Sequence, residues 1–185
     1  MGNATRWLGV MTAAVCIASS SCASTQPADS ADDSNQFSLS SPAFSNGGDL
    51  PAIYTCDGDS TSPPLQWSGE PLGTVGFAIL MDHQPGPGDW HWYWTEWGIG
   101  PDVHSVAPGA TVDGVFGTNS VNTDLAYAPP CSKGPGTKSY TITVFALSAQ
   151  PELPDPRQVD RDTLLSALDA ITLATDTLTI TYSRG

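Results

Sequence analysis

The side chains best suited to chemistry fall in two short stretches, of which the first is residues 82–94. Asp82 follows a continuous apolar run, residues 75–81, that is typical of a buried strand, so we expect it near a strand end. If the following segment is also a strand, alternation places His91 and Tyr93 on one face. The opposite face then carries the tryptophans of this stretch, Trp90, Trp92 and Trp94. A carboxylate, an imidazole and a phenol could therefore converge on one site.

The second stretch is a loop rich in glycine and proline, residues 129–140. It contains Lys133 and Lys138, the only basic residues between Arg6 and Arg157, in a chain whose net charge is −13. Backbone N–H groups in such a loop can turn toward a ligand, because glycine adopts conformations that other residues avoid. The loop therefore predicts a site for a small anion, and the alternative is a pair of solvated surface lysines.

The motifs of several enzyme classes are absent from the sequence. It contains neither the G-x-S-x-G elbow of α/β-hydrolases nor the H-E-x-x-H pattern of zinc proteases. Residues 136–139 approach a phosphate-binding G-K-S motif, but Thr137 interrupts it and a β-rich run follows where a helix is required. We therefore predict a binding module with no catalytic residues, no metal and no cofactor. A hydrolase that uses His91 with an aspartate is the least favoured alternative.

The charge balance limits the partners that the protein can have. The chain carries 19 acidic and 6 basic residues, which gives it an acidic surface. Such a surface repels nucleic-acid phosphates and anionic lipid headgroups. Nucleic acid is thus excluded as a partner, and attachment to a membrane needs an anchor other than charge.

The N-terminus supplies a candidate for such an anchor. Residues 1–22 combine Arg6, an apolar run too short to span a bilayer, and a final Ser-Ser-Ser-Cys, the order found in secretory signal peptides. A cysteine after small residues resembles the lipobox of bacterial lipoproteins, so we predict export and lipidation at Cys22. The alternative is an ordinary signal peptide and a soluble secreted or periplasmic protein. Residues 23–36 lack apolar periodicity and are predicted to form a disordered, acidic tether.

Cysteine count and export together predict a disulfide. Cys16 belongs to the leader and Cys22 to the anchor, which leaves Cys56 and Cys131 in the exported domain. An oxidising compartment favours a bond between these two, with a pair of free thiols as the alternative. Two cysteines without a C-x-x-C spacing make a poor zinc site.

The remaining sequence, residues 37–185, indicates one mostly β domain with long loops. Strands are predicted where apolar and β-branched residues alternate or run together, at residues 37–40, 75–81, 92–99, 140–147 and 176–182. Residues 61–67 contain two prolines and are expected to form at most an edge strand, while His83 and His104 are expected in surface loops. The one predicted helix is residues 160–169, with Asp160 as its N-cap and three leucines on its apolar face.

Several segments resemble the phosphatidylethanolamine-binding protein family, in its bacterial Raf-kinase-inhibitor-like branch. They occur in the family's order, at residues 37–44, 53–58, 62–67, 127–131, 144–147 and 178–184. The resemblance implies a sandwich of two antiparallel sheets with one late helix, and a pocket for small anions such as phosphate headgroups. The alternative function is a protein-interaction module, in which the rim of the pocket docks and inhibits a kinase or a protease.

The resemblance also assigns residues to the pocket. Asp82 matches the first aspartate of the family's Asp-Pro-Asp-x-Pro loop, and Asp57 matches the aspartate of its Cys-Asp-Gly turn. The second aspartate of that loop has no clear counterpart in this sequence. The family's strand histidine corresponds either to His91 or to Tyr93, depending on which neighbouring residues are aligned.

A third family element, a Gly-x-His-Arg-Tyr turn, is altered in this chain. Lys138 and Tyr140, with a serine between them, stand where the family has His-Arg-Tyr. A lysine supplies positive charge but directs hydrogen bonds less sharply than an arginine. We therefore expect a small anionic or phosphorylated ligand to lie between this turn, Asp82, and either His91 or Tyr93.

Overall fold

The computed structural model describes residues 36–131 and 134–184, which fold as a mostly β domain with one α-helix. The strands are β1 (Ser38–Ser40), β2 (Leu65–Ser68), β3 (Gly76–Gly86), β4 (Asp89–Ile99), β5 (Ser105–Val106), β6 (Val115–Phe116), β7 (Lys138–Leu147) and β8 (Thr172–Tyr182). The helix, α1 (Arg161–Leu168), lies between β7 and β8 in the chain, and 3-10 turns occupy Ala52–Tyr54 and Pro156–Gln158. The predicted leader with Cys22, the tether up to residue 35, and Lys133 fall outside the described residues.

Two antiparallel sheets form a sandwich, as predicted. The strand order is β1-β2-β5 in the smaller sheet and β6-β4-β3-β7-β8 in the larger one. The main core lies between the sheets, where Phe77 and Ile79 of β3 join a cluster with Leu39 of β1 and Trp67 of β2. Burial of these large apolar side chains is the main force that holds the two sheets together.

The opposite face of the larger sheet is covered by α1. Leu164 and Leu168 are buried there in a cluster with Leu80 of β3. β3 is thus buried on both faces, which explains why its sequence is a continuous apolar run. The N–H of Thr163 donates to Asp160 Oδ1 at 2.8 Å, so Asp160 caps the helix as predicted. In the described part of the chain, no helix is both long enough and apolar enough to cross a membrane.

Two elements differ from the prediction. β2 lies between β1 and β5 rather than at a sheet edge, because its two prolines precede the strand and leave its backbone N–H groups free to pair. β3 and β4 extend toward each other until only two residues separate them, so a long hairpin replaces the loop expected after residue 81. Asp82 and His83 therefore lie inside a strand, and the prediction of His83 in a loop was wrong.

Candidate functional site

A pocket of about 350 Å³ opens where β3 ends and β4 and β7 begin. Because these neighbouring strands are antiparallel, those three ends meet at the same edge of the larger sheet. The strands contribute His83, Pro85, His91, Tyr93, Lys138 and Tyr140 to the lining, and the loops contribute Ser120, Val121 and Cys131. The structure therefore brings together four of the predicted ligand-binding residues: His91, Tyr93, Lys138 and Tyr140.

A β-bulge at Tyr93 decides which side chains of β4 face the pocket. Met81 pairs with Trp94 and the next residue, Asp82, pairs with Trp92, so Tyr93 is the extra residue between them. His91 and Tyr93 both line the pocket, as alternation predicted. Trp94 was expected on the opposite face, but the bulge turns it into the core between the sheets, where it is fully buried. His91 and Tyr93, the two residues that could match the family's strand histidine, thus both line the same pocket.

Asp82 does not line this pocket, although the sequence led us to expect it there. It occupies the strand position that faces α1, where its Oδ2 accepts a hydrogen bond from Arg161 Nε at 2.7 Å. The Arg161 guanidinium also stacks 3.6 Å above the ring of Trp90. Burial raises the pKa of Asp82, and the contact with Arg161 opposes that rise. Asp82 therefore fastens the first turn of α1 to the larger sheet.

His83 takes a place in the pocket that sequence reasoning missed. Its Nδ1 lies 2.6 Å from the carbonyl oxygen of Ser139, so a proton on Nδ1 is donated to the backbone and Nε2 is left for a ligand. The His83 ring lies 5.1 Å from the ring of Tyr140 and 6.3 Å from that of His91, between centroids. Continued alternation along β3 would have indicated this, because His83 follows Met81 on the inward face.

Tyr93 and Tyr140 form the floor of the pocket. Their rings meet edge to face with centroids 5.3 Å apart, and both side chains are buried. Burial raises the pKa of Tyr93, and burial together with the neighbouring Tyr93 raises the pKa of Tyr140. Both phenols therefore keep their protons at neutral pH and remain able to donate hydrogen bonds.

The charge of the pocket lining differs from that of the chain as a whole. Of the described residues that line it, one is a lysine, two are histidines and none is acidic. Asp89 lies beside the lining, with its Oδ1 3.6 Å from His91 Nε2 and its side chain 65% exposed. An exposed carboxylate is strongly screened by water, so the pocket is locally favourable to an anion.

The predicted disulfide between Cys56 and Cys131 is present, with a Cα–Cα distance of 5.2 Å. It lies at the pocket wall, because Cys131 is one of the lining residues. Asp57 is not a lining residue; it accepts hydrogen bonds from the Tyr182 hydroxyl and from the Arg184 guanidinium, whose Nε lies 2.9 Å away. These two contacts lower the pKa of Asp57. Asp57 therefore holds Tyr182 and Arg184 beside the disulfide rather than facing the pocket.

Metal ligation has no candidate in the described ranges. Among residues 36–131 and 134–184, no three or more side chains of histidine, cysteine, aspartate or glutamate are placed to hold a metal ion.

A family model described as phosphatidylethanolamine-binding protein matches residues 40–183, which is most of the chain. The chain belongs to the phosphatidylethanolamine-binding protein family. The sequence resemblance is thereby confirmed, and so is the sandwich fold that it implied.

Three relatives illustrate this membership. A UPF0098 protein of Mycobacterium tuberculosis is 36% identical over 118 residues, which cover 63% of this chain and 57% of the relative. A second protein from that species, LppC, is named as a candidate lipoprotein. It is 31% identical over 119 residues, which cover 64% of this chain and 59% of LppC. The chain thus spans less than two thirds of the length of these relatives. A solved structure from Chlamydia trachomatis is described as a candidate phosphatidylethanolamine-binding protein homologue. It superposes on this chain with a TM-score of 0.74 and 28% sequence identity, and the match covers 82% of this chain and 99% of the solved one.

Proposed function

We propose that this family member binds a small anionic or phosphorylated ligand in the pocket lined by His83, His91, Tyr93, Lys138 and Tyr140. One observation carries the proposal: the described lining has a lysine and two histidines but no carboxylate, in a chain whose net charge is −13. Acidic side chains are so abundant elsewhere that their exclusion from this lining favours an anion as the ligand.

The groups of the pocket suit a phosphate in both charge and direction. Lys138 supplies a full positive charge, which makes a hydrogen bond to an anion stronger than a neutral one. The contact between the two phenols directs the Tyr140 hydroxyl toward Tyr93, so Tyr93 is the neutral donor for the ligand. Nε2 of His83 is left for the ligand by the Ser139 contact. A volume of about 350 Å³ is near the small end for ligand pockets, which favours a headgroup-sized ligand.

Lys138→Met is expected to weaken the binding of inorganic phosphate by about tenfold or more. A hydrogen bond to a charged group contributes about 1.5–3 kcal/mol, and methionine keeps the length of the side chain but not its charge. The affinity is measured by titrating isotope-labelled protein with phosphate and monitoring the amide chemical shifts by NMR. In the wild type, the shifts should be saturable and centred on Lys138, Tyr140 and His83.

The conservative variant Lys138→Arg serves as the control, because it keeps the charge at the same position. We expect it to retain most of the affinity for phosphate. Phosphate that shifts no resonance of the pocket, or that binds Lys138→Met as tightly as the wild type, would show that the pocket is not an anion site. Phosphoethanolamine in the same titration tests whether a headgroup binds more tightly than phosphate alone.

We further propose that the domain is exported and anchored to a membrane through Cys22. The support comes from residues 1–22, which have the order of a signal peptide, and from the similarity to a relative named as a candidate lipoprotein. The Cys56–Cys131 bond is also of the kind that forms in an oxidising compartment.

Cys22→Ala is expected to move the protein from the membrane fraction to the soluble fraction, because the variant lacks the sulfur that carries the lipid. Cell fractionation followed by immunoblotting measures the change. Cys16→Ala lies in the same leader and is the matched control, expected to stay with the membrane. Retention of Cys22→Ala in the membrane fraction would contradict lipidation at this residue.

A further inference from the structure

A second pocket, of about 550 Å³, lies against the face of β4 that points away from the anion pocket. We infer that it binds a neutral saccharide. Its lining has one aromatic residue, Trp92, one apolar residue, Leu125, and six polar or charged residues, among them Asp124, Arg157, Gln158 and Asp160. It is a separate site, because Trp92 lies between His91 and Tyr93 in β4 and therefore faces the other way.

Trp92 presents carbon surface to this pocket. Its indole Nε1–H donates to the carbonyl oxygen of Thr118 at 2.9 Å, so its polar atom is already satisfied by the protein. Leu125 adds apolar surface nearby and is 36% exposed. An indole ring is a large apolar surface on which the C–H face of a sugar ring can pack.

The rim around Trp92 offers hydrogen-bond acceptors and donors together. Asp160 and Asp124 each contribute a carboxylate to the lining, and Oδ1 of Asp160 also caps α1. The donors are the Gln158 amide and the Arg157 guanidinium, whose side chain is 80% exposed and whose Nη1 lies 4.0 Å from Asp155. At that distance the pair with Asp155 is weak, so the guanidinium remains free to bind.

This combination selects a neutral ligand with hydroxyl groups. An anion would meet two carboxylates in a chain of net charge −13. A cation could pair with those carboxylates, but it would offer no acceptor to the Arg157 guanidinium and the Gln158 amide. A wholly apolar ligand would strip water from the charged rim without replacing its hydrogen bonds. A hydroxyl both donates and accepts, so a saccharide can use the carboxylates and the guanidinium at once while its ring packs on Trp92.

The loop that carries Asp124 and Leu125 is held in shape before any ligand binds. Asn119 is buried, and its Oδ1 accepts from the N–H groups of Val121 and Asn122. Its Nδ2 donates to the carbonyl oxygens of two further residues of the same loop, at positions 124 and 126. A loop ordered in advance loses less conformational entropy on binding, so weak individual contacts can suffice for a sugar.

The test is an NMR titration of the full chain with maltose and with N-acetylglucosamine. We expect a saturable shift of the Trp92 indole N–H resonance and of the Asn119 side-chain amide by at least one of these sugars, with Lys138 unaffected. Asp124→Asn combined with Arg157→Gln should weaken that binding about tenfold or more, because each removes a charged partner of a hydroxyl. Asp102→Asn, the same chemical change in an exposed loop, should leave it unchanged.

Three outcomes would overturn the inference. The first is that neither sugar shifts the Trp92 resonance at tens of millimolar, and the second is that both sugars shift the anion pocket instead. The third is that adenine, a planar ring without a sugar, shifts Trp92 while the sugars do not, which would indicate a site for a planar ring rather than a saccharide. The result is independent of the proposed anion site, because phosphate is followed at Lys138 and saccharide at Trp92.

Discussion

Replacing both Cys56 and Cys131 with serine is expected to lower the free energy of unfolding by about 4 kcal/mol. The bond closes a loop across a sequence separation of 75 residues, and in the chain-entropy model a loop of this length gives a stabilisation of that size. Most domains are stable by only about 5–15 kcal/mol, so the double variant should lose a large share of its stability. Urea denaturation of the two proteins under oxidising conditions measures the difference.

The position of this disulfide adds an expectation about binding. Since Cys131 lines the pocket proposed to bind an anion, breaking the bond should loosen the pocket wall and weaken phosphate binding under conditions in which the domain is still folded. The double serine variant is the control, because its phosphate affinity should not respond to a reducing agent. If binding and folding of the wild type are lost together as reductant is added, the disulfide stabilises the fold and has no separate effect on the pocket.

Glu96→Gln is expected to raise the free energy of unfolding by up to about 3 kcal/mol above pH 7 and to have almost no effect near pH 4. Glu96 is 1% exposed, and the indole N–H of Trp94 donates to its Oε2 at 2.8 Å. Its Oε1 has no hydrogen-bond partner in the part of the chain that the structure describes. Burial raises the pKa of Glu96 to about 7, against an ordinary value of 4.5.

The direction of the pH dependence follows from which state holds the proton. Below pH 4.5 the carboxyl is protonated in both the folded and the unfolded chain. Between pH 4.5 and 7 the folded chain retains the proton and the unfolded chain does not, so stability falls as the pH rises. Above pH 7 the folded chain holds an ionised carboxylate in its core, and the full cost of burying that charge is present. Glutamine has the same shape and no charge, so it avoids this cost.

Urea denaturation of the wild type and of Glu96→Gln at pH 4 and pH 8 tests this expectation. The control is Glu70→Gln, because the hydrogen bond from His104 lowers the pKa of Glu70. Its replacement should not stabilise the protein at pH 8. A stability difference between the wild type and Glu96→Gln that is the same at both pH values would contradict a raised pKa.

The local features of this fold could be predicted from the sequence. The alternation of Leu178, Ile180 and Tyr182 in β8 predicted three buried side chains, and all three are buried. Asp160 before a run of leucines predicted the start of α1, because an N-cap acts on N–H groups only a few residues away. The pair of cysteines predicted the disulfide, since the count left no other partner for either one outside the predicted leader and anchor.

The composition of the sites depended on contacts between distant parts of the chain. Asp82 matches a residue of a family motif, yet the direction of its side chain follows from the pleating of β3 and from its contact with Arg161. Arg161 lies 79 residues further along the chain and reaches Asp82 only when α1 packs on the sheet. The bulge at Tyr93 appears only when β3 and β4 pair, and it turns Trp94 toward the core. The second pocket likewise joins β4 to loops some 30 and 65 residues away.

The sequence by itself therefore determined the fold class, the helix and its cap, the disulfide, and four of the residues that line the first pocket. Each of these depends on short-range spacing, on residue counts or on the family pattern. The tertiary structure alone decided that His83 lines the first pocket, that Asp82 does not, and that Trp92 lines a second pocket. The physical reason is that a side chain's face in a sheet is set by register and bulges, which arise from the pairing of strands and not from either strand alone.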